Sequence, residues 1–259
     1  MTGGTDVPAM RTETRARLRS VGAAAAVTLT GFAIALLALV VIGNIVYAAG
    51  VELSGPAQLV VSLVAIQGIG FPITALLYLR YRDLPLSYLD IKWPSLREVG
   101  IAVGGWLVII VLIYAIAIII TVTGAEPAQN QAGQTAAENP EFIPYLIPLV
   151  FLLNAPGEEI LFRGVIQNRL REQWGPVASI VLTASMFAPA HIISLLGSLQ
   201  AMAITIAVLF IPALVFGAVY EYTDNLTVPS LTHAFHNSVL FGLVYLAATA
   251  ENGTALLGV

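Results

Sequence analysis

Glu158 and Glu159 stand side by side within an apolar stretch, Ile143 to Gly164, and Arg163 follows four residues after the second. A carboxylate at bilayer depth costs at least a few kcal/mol unless it is paired, hydrated or protonated, so ionisable groups placed there mark a functional site by default. A helix turns about 100° per residue, and positions four apart share a face. Glu159 and Arg163 have that spacing and are expected to form a buried ion pair. Glu158 points about 100° away and has no local cation. Asn154, one turn earlier, lies on its face and can hydrogen-bond to it. A structural ion pair explains Glu159 and Arg163 but leaves Glu158 without a reason.

Two later segments hold candidate partners. One is Phe187-Ala-Pro-Ala-His191; the other is His233-Ala-Phe-His236-Asn237, in which His233 and Asn237 are one turn apart. A carboxylate beside an imidazole can orient and deprotonate a water molecule. A second imidazole with an amide supplies donors for a developing oxyanion. Together these describe hydrolysis of a carbonyl, with a peptide bond the obvious candidate. The chain has no cysteine, which removes thiolate nucleophiles, disulfides and cysteine metal sites. It also lacks the H-E-x-x-H zinc motif. Ser185, Ser194 and Ser238 lie near these residues, but none has the context of a nucleophile elbow.

The elements that must position these groups are membrane helices. Hydrophobic residues make up 58% of the 259 residues and charged ones only 10%, against about 25% charged in ordinary soluble domains. Mean hydropathy is +0.88. Seven stretches approach the roughly 20 apolar residues needed to cross a bilayer: 21–49, 59–79, 99–123, 143–164, 176–196, 199–220 and 226–248. The expected fold is therefore all-α, a polytopic membrane bundle of about seven transmembrane helices with room for an eighth, short or broken. Pro144, Pro148 and Pro156 make the fourth helix the least regular. The first apolar run follows four arginines, as a signal peptide would, but is about twice the usual length, and a retained helix is expected.

Depth can be checked along the hairpin of the fourth and fifth helices. Glu158 lies 16 residues before Trp174, and His191 lies 16 residues after Gly175. At about 1.5 Å per residue both sit about 25 Å from the turn, of which roughly the first 10 Å projects from the bilayer. His233 is about 10 Å into the last helix, at a matching level. Three helices are thus expected to deliver Glu158, His191 and His233 with Asn237 to one layer.

These residues carry a family resemblance. Glu158-Glu159-Ile-Leu-Phe-Arg163, Phe187-Ala-Pro-Ala-His191 and His233-Ala-Phe-His-Asn237 resemble the E-E-x-x-x-R, F-x-x-x-H and H-x-x-x-N/B motifs of the CAAX-protease and bacteriocin-processing family of intramembrane proteases. The similarity extends over residues 140–240, including the segment that begins at Gly217. The resemblance implies an intramembrane endopeptidase acting on a membrane-anchored protein or peptide, prenylated in the CAAX manner or otherwise, in a cavity reached from the cytoplasmic side. Glu158 and His191 would activate water, His233 and Asn237 would stabilise the oxyanion, and Glu159 and Arg163 would support the site. The family is often labelled metalloprotease. A zinc ion would fall to Glu158, His191 and His233 as a three-ligand open site, although a metal-free mechanism is favoured here.

Two other functions share the sequence features. Buried Glu and His chains also relay protons in transporters, though no inverted repeat is visible. A non-catalytic chaperone or immunity partner would keep the same fold. The net charge of −4 argues against a nucleic-acid partner. All eleven Lys and Arg residues fall on one side of a seven-helix arrangement: Arg11 to Arg19, Arg80 to Arg97, and Arg163 to Arg171. The positive-inside rule then places the N-terminus in the cytoplasm of a multi-pass cell-membrane protein. Residues 1–20 are expected to be a disordered cytoplasmic tail, and 21–250 a single bundle domain. The polar stretch 124–139 is expected to be a flexible outer loop, and 84–98 an interfacial segment.

Overall fold

The computed structural model describes residues 6–257, with side chains described for residues 12–250. Seven long helices and one short helix follow one another: α1 Asp6–Ala48, α2 Gly55–Tyr81, α3 Leu96–Thr123, α4 Gln131–Glu138, α5 Pro140–Arg171, α6 Pro176–Ser194, α7 Leu199–Thr223 and α8 Thr227–Leu257. Among the described residues, six are long and apolar enough to cross a membrane; α4 and α8 are not among them. Helix α8 has the length, but Ser230, Thr232, His233, His236, Asn237 and Ser238 dilute its apolar character. The chain is a multi-pass, all-α membrane bundle.

Lipid tails are as apolar as leucine, so close packing and polar contacts hold membrane helices together rather than expulsion of water. Two glycines in this bundle mark backbone-to-backbone contact. A Cβ on Gly70 would lie 2.5 Å from the Ala35 Cα of α1, and one on Gly157 would lie 2.2 Å from the Gln67 carbonyl oxygen. Gly70→Ala and Gly157→Ala should each destabilise the bundle by about 1–3 kcal/mol, as overpacking does. The lowered thermal midpoint can be read in detergent, and an unchanged midpoint would contradict the close approach.

Helices α2 and α5 are not uniformly α-helical. Wide π turns occupy Val64–Gly70 in α2, and Val150–Asn154 and Ile160–Gln167 in α5. In α5 the prolines supply a cause: each lacks an N–H, and its ring collides with the carbonyl four residues back. A π turn relieves that conflict, and such turns concentrate at functional sites. Here they flank the paired glutamates on both sides. An edge-to-face aromatic chain, Phe32–Phe71–Phe162–Phe187, links α1 through α2 and α5 to α6 at centroid distances of 5.3, 6.3 and 4.9 Å.

Two expectations are corrected. Residues 1–20, expected to be disordered, are helical from Asp6 onward, and residues 1–5 lie outside the described part. Arg17 pairs with Glu13 one turn away at 2.7 Å and lies over the Trp174 ring, while Trp174 Nε1 donates to Ser20 Oγ at 3.0 Å. These contacts tie the start of α1 to the α5–α6 turn. The outer stretch 124–139 is also folded. Its strand β1, Gln129–Asn130, pairs antiparallel with β2, Leu195–Leu196. Asn130 then caps α4 by accepting from the Ala132 and Gly133 amides, and Asn130 Nδ2 donates to Ser194 Oγ. A polar composition looked like a loop because the partner strand lies some 65 residues away in sequence. At the opposite, arginine-bearing end, Arg82 and Arg169 both pair with Glu172, and Arg171 pairs with Glu221 at 2.8 Å.

Candidate active site

Glu159 and Arg163 pair as their spacing requires. Arg163 NH1 donates to Glu159 Oε1 at 2.9 Å, and both side chains are fully buried. The guanidinium also donates to the Ala213 carbonyl of α7 at 2.9 Å and lies between the Phe187 and Phe216 rings. The planar charged face is thus held by two aromatic faces, a favourable cation–π arrangement when desolvated.

Glu159 does a second job. His233 Nδ1 lies 2.9 Å from the same Glu159 Oε1. A carboxylate oxygen accepts, so His233 Nδ1 carries the hydrogen and Nε2 turns the other way. The ring is further fixed by stacking on Phe216, with centroids 4.5 Å apart and planes at 17°.

His191 is oriented by a different device. The α-helical part of α6 ends at Ala190, and His191–Ser194 is a 3-10 turn. The backbone N–H of His191 therefore bonds to Ala188 rather than to Phe187. That leaves the Phe187 carbonyl for His191 Nδ1, at 3.0 Å. A carbonyl can only accept, so Nδ1 again carries the hydrogen and Nε2 is left facing the site.

Glu158 lies between the two imidazoles. Its Oε1 accepts from Asn154 Nδ2 at 3.0 Å and from Gln67 Nε2 at 3.2 Å. Its Oε2 is 3.9 Å from His191 Nε2 and 3.9 Å from His233 Nε2, and it has no hydrogen-bond partner. Those gaps are too long for direct hydrogen bonds. A water about 2.8 Å from both atoms of such a pair would bridge them from the cavity side. The three residues expected at one depth are thus brought together.

Asn237 shares the layer and lines the same cavity as His233, and its Nδ2 donates to Asn154 Oδ1 at 2.8 Å. Asn237, Asn154 and Glu158 form a relay of hydrogen bonds ending on Glu158 Oε1. Gln67 was not singled out from the sequence, although a glutamine flanked by Gly68 and Gly70 in an apolar run was a signal. His236 is buried, and its Nδ1 has no hydrogen-bond partner.

A cavity of about 330 Å³ begins at these groups. Glu158, His191, His233, His236, Asn237 and Gln67 line it, with Leu63, Ile66, Val150 and Phe241 among its apolar walls. It extends to Leu59, Val244 and the Asn130–Gly133 cap, the end away from the arginine-bearing loops. At the basic end, Leu79, Leu89 and Val165 pack together, and Gly164 lies against Leu89 and Leu226.

The candidate metal ligands stand further apart here than ligands around a bound zinc ion do. Tetrahedral ligands about 2.1 Å from zinc lie about 3.4 Å from each other, whereas Glu158 Oε2 stands 3.9 Å from each Nε2. Among the described residues, no group of three or more His, Asp or Glu side chains is arranged to hold a metal ion.

Fold and site together define a polytopic membrane protein with a glutamate and two imidazoles converging on one buried point. Residues 140–251 match the family described as Type II CAAX prenyl endopeptidase Rce1-like. That segment contains Glu158, Glu159, Arg163, His191, His233 and Asn237, and it bears out the resemblance read from the three motifs. At the level of the family this supports a membrane endopeptidase. Helices α1 to α4 lie outside the matched segment, and no curated protein or solved structure matches the chain.

Proposed function

We propose that this chain is an intramembrane endopeptidase that hydrolyses a peptide bond near the C-terminus of a membrane-anchored, prenylated substrate. The observation that carries the reading is the asymmetry of Glu158. One oxygen is occupied by two amide donors, while the other faces two imidazole nitrogens across water-sized gaps at the end of a mostly apolar cavity.

In the proposed cycle a water between Glu158 and His191 gives its proton to Glu158 Oε2, and its oxygen attacks the peptide carbonyl carbon. The C=O π pair moves onto the carbonyl oxygen. His233, as an imidazolium held through Nδ1 by Glu159, donates from Nε2 to that oxyanion, with the second Asn237 amide hydrogen beside it. Glu158 passes its proton to the amide nitrogen as the C–N bond breaks and the carbonyl re-forms. Arg163 holds Glu159 in place. No metal is needed for this sequence of steps, and substrate enters from the end covered by the Asn130–Gly133 cap.

The test uses purified full-length protein in proteoliposomes with an internally quenched peptide ending in a farnesylated CAAX-type sequence. Wild type should release one new C-terminus. His191→Ala should lower turnover by about 10²-fold, the effect of misplacing the attacking water by about 1 Å, with an unchanged thermal midpoint. Cleavage by His191→Ala at the wild-type rate would remove it from the reaction.

A further inference from the structure

We propose that Gln67, on a helix outside the matched family segment, is a positioning residue that fixes the orientation of the Glu158 carboxylate so that one oxygen stays turned toward the histidines. This rests on the reading of Glu158 as the water-activating carboxylate.

The argument begins with the backbone. The π turn Val64–Gly70 carries Gln67 against α5. The two chains approach so closely there that a Cβ on Gly157 would be 2.2 Å from the Gln67 carbonyl oxygen. Glycine next to Glu158 therefore permits the Gln67 side chain to reach its carboxylate, which it does at 3.2 Å.

Chemistry then fixes the orientation of the amide. Glu158 Oε1 accepts, so the Gln67 NH2 group must face it, and Gln67 Oε1 must point away. That Oε1 is buried and has no hydrogen-bond partner. A buried amide oxygen without a partner is unfavourable, and leucine at this position would avoid the deficit. Stability does not account for a glutamine here, whereas control of Glu158 does.

The two donors on Glu158 Oε1 have different supports. Asn154 is on the same helix one turn away and is itself held by Asn237. Gln67 comes from α2, so it alone of the two ties the carboxylate to another helix. With both in place, Oε1 is withdrawn from the reaction, and Oε2 is left toward His191 and His233.

Gln67→Leu keeps the apolar bulk and removes the amide. In the farnesylated-peptide assay, kcat should fall by about 10²-fold, the effect of about 1 Å of misplacement, while KM stays within about twofold. The thermal midpoint should not fall. A second measurement does not depend on cleavage: dicyclohexylcarbodiimide labelling of Glu158, read by mass spectrometry. Losing one hydrogen bond should raise the labelling rate by about threefold or more. A labelling rate equal to wild type overturns the proposal, whatever the peptide assay returns. So does a loss of activity that tracks a lowered midpoint, because Gln67 would then be a packing residue. Faster labelling in a protein whose wild type cleaves no peptide would uphold the positioning role and defeat the endopeptidase reading.

Discussion

Glu158→Gln is expected to give a folded protein whose peptide cleavage is about 10³-fold slower than wild type, within the range of general-base contributions. Glutamine has nearly the shape of glutamate, and its amide oxygen can still accept from Asn154 and Gln67, as Glu158 Oε1 does. Its NH2 group would take the place of Oε2 and face the lone pair of His191 Nε2. The site would then hold a donor where the reaction needs a base. The thermal midpoint should stay level or rise, because a buried carboxylate oxygen with no hydrogen-bond partner is removed. Such opposition between stability and activity is characteristic of residues kept for function. Wild-type turnover in Glu158→Gln would sink the proposed mechanism.

Arg163→Met is expected to be damaging in another way. It leaves Glu159 fully buried with His233 as its remaining hydrogen-bonding partner, and it empties the space between Phe187 and Phe216. Removing one partner of a buried ion pair costs about 3–5 kcal/mol, a lowering of the melting midpoint on the order of 10 °C for a chain of this size. Activity should disappear with it, because Glu159 orients His233. Arg163→Lys should not restore either property. An ammonium cannot present a planar face to two rings while donating in fixed directions to Glu159 and the Ala213 carbonyl. Adding Glu159→Gln to Arg163→Met should recover part of the lost stability, since the unpaired charge is gone. A double variant less stable than Arg163→Met would show that the ion pair is not the source of the loss. Thermal unfolding of purified protein in detergent distinguishes these outcomes.

The two glutamates thus have separable signatures. A change at Glu158 should remove turnover and spare the fold, while a change around Glu159 should remove both. A proton-transporting protein would show neither pattern in a cleavage assay.

The sequence by itself determined what is local to a helix. Composition and the length of the apolar runs predicted an all-α membrane bundle with about seven transmembrane helices, and six of the described helices are long and apolar enough to span. The four-residue spacing sufficed for the Glu159–Arg163 pair. Rise per residue, counted from the Trp174–Gly175 turn, put Glu158 and His191 at one depth, and the structure brings them within 3.9 Å. Periodicity along one helix says nothing about which way a neighbouring helix is turned. Rotation and crossing were decided by tertiary contacts: the Gly70–Ala35 and Gly157–Gln67 approaches, together with the π turns, each of which rotates the rest of its helix out of the regular α register. Those contacts bring Gln67 to Glu158, send Asn237 to Asn154, and place His233 on Glu159. The same holds for the outer cap, whose polar segment has no apolar pattern and folds only because β2 offers it a strand edge. Depth in the membrane is additive along a chain and can be read from sequence, whereas azimuth is set by packing between chain segments far apart in sequence.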